Sequence, residues 1–487
     1  MSINFKTSAA ETRETRLKST ISYTGTAKEL NEKSKNLELT CKNRSFEQCS
    51  SCMQGCAFIL GFVRDAAVVQ HSPVGCFGSD AGFQIGGRAV SKARGLGEFK
   101  NYQICTNIQE KDTIYGGVDK LQRAIQRTYN EANPKVIFVT SSCASGIIGD
   151  DIESVCAEAQ EKLQIPVVPI FCEGFKSKIW SSGFDAAFHG VMRDIVKKPK
   201  KRQEDLVNVF NFEGIDTFGP LLAKLNLRVN YYLPLASVEQ LEQMSEAACS
   251  TQMCETLSSY VARGLEEQYG VVQIHTPAPF GTKWTDEWLR EIAKVTNREN
   301  IVEKVIIDLR KEYLPKIEFY REKFKGKRLY VFAGDSYTHN MSVLAYELGF
   351  EIIGVTGLHH DQRSDNESIN TLDAMVDNIG DIANFTICNK QPYRHIKILR
   401  ELKPDLLITR HGGITSIGSK LGIPSIFEGD ANASIGYSGL VGLAKRLDEA
   451  LQTVKLVKNI AKHTEYPYTD WWLSEDTDPM YFEGGGK

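Results

Sequence analysis

The segment Cys49-Ser-Ser-Cys52-Met-Gln-Gly-Cys56 places three thiols within eight residues. Gaps of two and three residues let neighbouring turns of backbone aim several thiolates at a shared iron or zinc centre. A buried, cysteine-rich helix start is the plainer reading of one such pair. Two further thiols, Cys76 and Cys143, stand in glycine-containing turns, Pro73-Val-Gly-Cys76 and Ser142-Cys143-Ala-Ser-Gly146. Zinc would draw four ligands from compact pairs, whereas these candidates are spread over three separated loops, which suits a large iron–sulfur cluster, with a subunit interface as one place for it. Cysteine usage supports metal or redox work, since nine of the twelve cysteines lie in the first 172 residues and a reducing compartment disfavours disulfides.

The elements that must position these residues alternate between strands and amphipathic helices. Lys135–Thr140 is a short apolar run ending in the small-residue turn Ser141–Gly146, and Asp150-Asp-Ile-Glu opens a helix with acids in its first turn, where the helix dipole favours them. That order predicts a parallel strand, a loop and a crossover helix, with Cys143 where open α/β sheets bind ligands. Strands are expected again at 207–212, 228–233 and 271–274, with helices at 216–226 and 253–269. Long helices follow over 284–327, then strands at 328–333, 350–355, 405–409 and 422–427. The economical description is an α/β fold of three Rossmann-like lobes with parallel sheets, at 41–203, 204–327 and 328–487, preceded by an N-terminal arm over 1–40. The arm, polar and without periodicity, is expected to wrap a partner. No GxGxxG or GxxxxGK[ST] follows a first strand, so dinucleotide and P-loop sites have no support.

Composition narrows the function classes. With 58 Lys+Arg against 61 Asp+Glu, a net charge of −3 over 487 residues, the chain lacks the basic excess of a dedicated nucleic-acid binder. The basic run Lys197–Arg202 reads as a solvated linker. No window approaches 18 consecutive apolar residues, so no membrane span is expected. The N-terminus has no apolar signal region, so a cytoplasmic location is expected.

Four ordered stretches carry a resemblance: Arg64–Cys76, Asn107–Gly117, Ser142–Ser154 and Cys172–Phe175. Together they resemble the nitrogenase component-1 α-subunit family, in the same order and at similar spacing from about 49 to 460. The resemblance implies a P-cluster-type Fe–S centre with its α-side ligands at Cys52 (Cys49 the alternate), Cys76 and Cys143. It also implies a large iron–sulfur cofactor, FeMo-co-like or its all-iron precursor form, held by Cys254 ahead of a helix ending in Glu-Glu-Gln-Tyr-Gly270. On its own Cys254 would read as a core cysteine. The implied partners are a β-like subunit in an α2β2 heterotetramer and an ATP-dependent iron protein, which would bind the nucleotide.

Departures from the family matter as much as the matches. Its second cofactor ligand, a histidine, falls on Gly429, with Glu428, Asp430 and Asn432 nearby. Its polar residues near the cofactor fall on Trp180 and Phe184, and its lysine falls in Arg410-His-Gly-Gly413. Replacement histidines are sought at His339, His359-His360 and His411, each expected at a strand's carboxyl end. Among relatives, this pattern implies a methylthio-alkane reductase acting on small thioethers. The alternatives are a cofactor-maturation scaffold, for which the acids at 428 and 430 speak, and a nitrogenase α-subunit.

Overall fold

The computed structural model describes residues 3–40, 52–77, 81–211, 215–233, 235–365, 370–388, 392–410, 412–429, 434–466 and 468–474. Its strands are β1 (Ser22–Gly25), β2 (Ala66–Gln70), β3 (Tyr102–Cys105), β4 (Val136–Thr140), β5 (Val167–Ile170), β6 (Gln203–Phe210) and β7 (Arg228–Leu233). They continue as β8 (Ala247–Gln252), β9 (Val272–Gln273), β10 (Arg328–Ala333), β11 (Glu351–Gly357), β12 (Phe385–Cys388), β13 (Leu406–Thr409) and β14 (Ser425–Phe427). Three sheets result, ordered β3-β2-β4-β5, β7-β6-β8-β9 and β1-β12-β11-β10-β13-β14. Every pairing is parallel except that of β1 with β12.

The strand orders matter for function. In the first two sheets the chain steps one way from its first strand and then returns past it, which puts a topological switch between β2 and β4 and between β6 and β8. In the third sheet the reversal lies between β10 and β13. At a switch the loops leaving two neighbouring strands diverge, opening a crevice at the carboxyl edge.

Apolar runs build the sheets because both faces are covered. In the first sheet Ala67, Val69, Ile137 and Val139 pack on Leu121 and Ile125 of the helix Val118–Ala132 and on Ile152 and Val155 of the helix Ile152–Leu163. Burying side chains such as Ile137 and Val139 stabilises by roughly 1.5–3 kcal/mol each. Asn133, at φ 45°, closes the first of these helices by donating its N–H to Tyr129 O, and Asp151 opens the second by accepting from Ser154 N–H.

The chain divides into two compact units: Met1–Arg16 with Ser50–Ile274, and Leu17–Cys49 with His275–Lys487. The first contains the first two sheets, the second the third sheet. Two differences from the sequence reading follow. The helices Gly281–Val295 and Glu299–Phe324, grouped by sequence with the second lobe, fall in the third sheet's unit. The stretch 1–40 is not a peripheral arm: Arg13, Leu17, Ala27 and Leu30 are buried, and Ser22–Gly25 pairs with β12 as an edge strand. Hydrogen bonds to the distant β12 place these four residues, so local pattern does not reveal them. No helix among the described residues is long and apolar enough to cross a membrane.

Candidate metal centre

At the carboxyl edge of the first sheet, four neighbouring strands release four loops in the order Cys105, His71–Cys76, Ser141–Cys143 and Cys172. Backbone ties fix them laterally. His71 N–H donates to Thr140 O at 2.9 Å, Thr106 N–H to Gln70 O at 3.0 Å, and Ser141 N–H to Ile170 O at 2.9 Å. Side chains add a second layer: Ser142 Oγ donates to His71 O at 2.8 Å, and Ser141 Oγ accepts from Cys172 N–H at 2.9 Å.

The hub is His71, which is fully buried. Its Nε2 lies 2.8 Å from Asp150 Oδ2 and its Nδ1 3.0 Å from Thr106 Oγ1. Burial pushes its pKa down despite the neighbouring Asp150 carboxylate, so at neutral pH the ring is uncharged and its contact with Asp150 is a hydrogen bond rather than an ion pair. The tautomer follows from the partners: Asp150 only accepts, so Nε2 carries the proton, and Nδ1 accepts from Thr106. Thr106 Oγ1 is then free to accept Ser72 N–H at 3.2 Å. Asp150 Oδ1 takes Gly117 N–H at 2.9 Å. The paired glycines of the Asn107–Gly117 stretch now have physical reasons. Gly116 sits at φ +87°, and a Cβ on Gly117 would lie 2.8 Å from Asp150 Oδ2 and 2.9 Å from His71 Cε1.

These ties present Cys76, on the short helix Val74–Phe77, and Cys143, the first residue of the helix Cys143–Ile148, both exposed. The small-residue turn expected at 141–146 is thus the start of a helix, capped by Ser142, which accepts Ser145 N–H. Desolvation of its sulfur, and then the nearby Cys143 and Cys105 thiols, push the Cys76 pKa up. The three thiols therefore share one neighbourhood, where a metal that binds thiolate would displace their protons. Soft thiolates converging at a surface edge fit an iron–sulfur group whose remaining ligands come from elsewhere.

Cys105 was missed by sequence reasoning. Its thiol donates to Ser72 O at 3.0 Å and accepts Asn107 N–H at 3.2 Å, so it pins the loop that leads to Cys76. Nothing in its spacing marks it, because its position comes from β3 lying beside β2. Cys49 lies outside the described residues, and Cys52 begins the helix Cys52–Gly61. Cys56, the third thiol of that segment, is buried near Cys172 and, with burial, pushes the Cys172 thiol pKa up.

Cys254 lies at the second sheet's switch. It follows β8 and stands in extended conformation as the N-cap of the helix Glu255–Tyr269, its side chain buried and not capping. Two residues before it, Gln252 Nε2 is buried with no hydrogen-bond partner. A buried thiol beside an orphaned donor suits a sulfur-rich ligand that accepts a hydrogen bond.

The remaining candidates are dispersed. Phe184 is buried within the helix Ser182–Asp194 and packs on Trp180, ring centroids 4.9 Å apart, and on Phe58 at 6.5 Å. Trp180 keeps its indole N–H buried without a partner. In the third sheet's unit, His339 is buried, pushed down to about 4 by desolvation, with Nδ1 3.0 Å from Thr371 Oγ1. His360 uses both ring nitrogens, at 2.9 Å from Asp335 Oδ1 and 2.9 Å from Ser34 Oγ. His411 lies outside the described residues. Glu428 is buried with Arg446 at 2.6 Å and with Ser434, and its pKa is raised by burial against the pull of Arg446. At Gly429 a Cβ would lie 2.2 Å from the Phe427 ring, so any side chain there requires that ring to move.

Comparison with known proteins identifies the family. The model of the "Nitrogenase component 1 type Oxidoreductase" family matches residues 51–452. The nitrogenase molybdenum-iron protein alpha chain of Methanosarcina barkeri is 31% identical over 331 residues, 64% of this chain and 61% of that one. The nitrogenase iron-molybdenum cofactor biosynthesis protein NifE of Clostridium pasteurianum is 29% identical over 414 residues, 81% and 85% of the two chains. The solved structure of nitrogenase Cp1 at pH 6.5 superposes with a TM-score of 0.71 over 87% of this chain and 91% of its own, at 23% identity, a likeness of fold. With the family's model matched over residues 51–452, most of its length, the chain belongs to the nitrogenase component 1 family of oxidoreductases.

Proposed function

We propose that this chain is the catalytic α-like subunit of a nitrogenase-like reductase that cleaves the C–S bond of small methyl thioethers. The net reaction takes two electrons and two protons: the thioether C–S bond breaks, giving methanethiol and a hydrocarbon. The observation that carries the two-centre part of this reading is the separation of thiols between two switch points, exposed Cys76 and Cys143 on the first sheet and buried Cys254 on the second. Cys52, Cys76 and Cys143 would hold this chain's half of a P-cluster-type centre, and Cys254 a large iron–sulfur cofactor, FeMo-co-like or in its all-iron form. When bound, such groups supply electron transfer and reductive chemistry at iron.

The chain's own residues prepare both places. The neutral His71, held between Asp150 and Thr106, keeps the Cys76 and Cys143 loops in register without placing a charge beside them. Around these thiols Val74, Ile114, Tyr115 and Ile147 are exposed, and the helix Glu110–Tyr115 lies against Cys143–Ile148. An apolar collar around exposed ligands suits a surface that a β-like subunit covers in an α2β2 assembly, with electrons delivered by an ATP-dependent iron protein.

Substrate choice rests on what the family's positions carry here. Gly429 offers no imidazole, and the carboxylate of neighbouring Glu428 is already engaged by Arg446 and Ser434. Trp180 and Phe184 replace polar groups with aromatic ones. An apolar molecule with a soft sulfur fits such residues better than one needing several hydrogen bonds. The test is headspace gas chromatography on the complex with its β-like subunit and iron protein under ATP and reductant, thioether and dinitrogen offered separately. Methanethiol without ammonia is expected. Ammonia without thiol would replace this reading with a nitrogenase. Inactivity on both, with transfer of a cluster to an apo-acceptor, would replace it with the maturation scaffold, a reading to which the Clostridium pasteurianum relative, named as a cofactor biosynthesis protein, lends support.

A further inference from the structure

In the third sheet β10 and β11 are parallel neighbours, so the residues that leave their carboxyl ends meet. Asp335 opens the helix Asp335–Glu347 just after β10, and His359, His360 and Asp361 follow β11. One donor atom from each of Asp335, His359 and Asp361 can be chosen so that all lie within 4.8 Å of one another. His359 is 2% exposed, yet neither Nδ1 nor Nε2 has a hydrogen-bond partner. Its Nε2 stands 3.7 Å from Asp361 Oδ2, too far for a hydrogen bond.

An imidazole buried with both nitrogens unpaired is disfavoured unless something absent from the protein chain completes it. The two carboxylates are oriented from behind. Asp335 Oδ1 pairs with His360 Nδ1 at 2.9 Å, its Oδ2 accepts Asp361 N–H at 2.9 Å, and Asp361 Oδ1 accepts from Ser19 Oγ. This is the support that metal-binding carboxylates receive from neighbouring groups. A cation about 2.1 Å from each ligand would see the 3.7 Å pair at an angle of about 120°, and any ligand atoms standing farther apart, all within 4.8 Å of one another, would draw in around the ion.

We infer that Asp335, His359 and Asp361 form a site for one divalent cation of the manganese-to-zinc class, bound by one imidazole nitrogen and two carboxylate oxygens, with water in the remaining positions. The imidazole sets it apart from the all-oxygen sites of magnesium and calcium, and the carboxylates from a thiolate iron–sulfur centre. The ligands of this ion differ in kind from the cysteines, and its presence does not depend on the reductase reading.

Mn2+ is the probe, added to the full-length chain with its partner subunit and followed by EPR and elemental analysis. One Mn2+ per chain is expected, displaced by Zn2+, with nitrogen modulation from one imidazole in pulsed EPR. His359→Gln and Asp361→Asn should each weaken binding at least tenfold, whereas His463→Gln, at an exposed position, should leave it unchanged. Circular dichroism checks that the variants fold, and the nitrogen coupling in the unaltered protein decides should one of them fail to. No stoichiometric Mn2+, binding retained in both variants, or bound Mn2+ without nitrogen coupling each overturns the site.

Discussion

Asp150→Ala isolates the hub beneath the exposed thiols. The wild-type carboxylate accepts His71 Nε2–H at 2.8 Å and Gly117 N–H at 2.9 Å, and the side chains of His71 and Asp150 are 0% and 3% exposed. Truncation leaves two buried donors unpaired, at roughly 1–3 kcal/mol each, so about 4 kcal/mol in all. For a unit of this size 1 kcal/mol moves the melting temperature by about 2–4 °C, and the expected fall is about 12 °C. Asp150→Asn keeps one acceptor oxygen but turns an NH2 toward the other donor, so its fall should be about half as large. The assay is thermal unfolding at a fixed scan rate on the purified chain, with iron per chain measured in parallel. Iron should drop with the alanine variant, because the His71–Cys76 loop loses its anchor. A fall of less than about 3 °C for Asp150→Ala, or asparagine destabilising more than alanine, would refute the hub and the neutral His71 tautomer together.

Gly117→Ala should reproduce the Asp150→Ala phenotype, since its Cβ would fall 2.8 Å from Asp150 Oδ2; unfolding indistinguishable from wild type would show the contact to be soft. Cys76→Ala should lower iron content and weaken the hetero-oligomer, and Cys254→Ala should remove a second pool of iron while leaving the first, both read by iron analysis and EPR. Cys105→Ser should keep the iron of Cys76 but shift its EPR signal, because the serine hydroxyl can still donate to Ser72 O; loss of iron would make Cys105 a ligand instead. The buried His360–Asp335 pair gives a pH signature. Burial alone would lower His360, but Asp335 raises it above its ordinary value, and Asp335 is lowered by His360 against its own burial. Below about pH 6.5 the histidine's contribution is fully present. It is lost as pH rises through the raised folded value, and the aspartate's is lost as pH falls through its lowered one. His360→Asn should therefore flatten the alkaline limb of the stability profile, measured by urea unfolding between pH 6 and 9.

Strands such as Val136–Thr140 and Arg328–Ala333 were legible because parallel strands covered on both faces read as apolar runs. The cysteine loops were legible because each ends such a run in small residues. The helix Cys143–Ile148 was not, since glycine, serine and alanine spell a turn as readily as a capped helix. Ser22–Gly25 was hidden for another reason: four residues of mixed polarity become a strand only by pairing with Phe385–Cys388, more than 350 positions away. Cys105 and the Asp335–His359–Asp361 group were hidden in the same way. Their separations in sequence carry no ligand pattern, and only the adjacency of β2 with β3 and of β10 with β11 brings them to their partners.

The same topology thus yields different chemistry at each carboxyl edge, and donor softness sorts it. The first sheet's edge carries exposed thiols over a neutral histidine, a setting in which positive charge from iron is balanced chiefly by the thiolates it creates and by sulfide. The second carries one buried thiol with an orphaned amide donor, enough to anchor a large group but not to enclose it. The third carries carboxylates oriented by hydrogen bonds beside a buried imidazole that has none, hard-to-borderline donors that suit a single ion better than a sulfur-rich group. If donor type governs loading, iron–sulfur reconstitution should fill the cysteine positions and leave the Asp335 group open to Mn2+. Competition between the two at one site would mean that position in the sheet, rather than donor chemistry, decides what each edge binds.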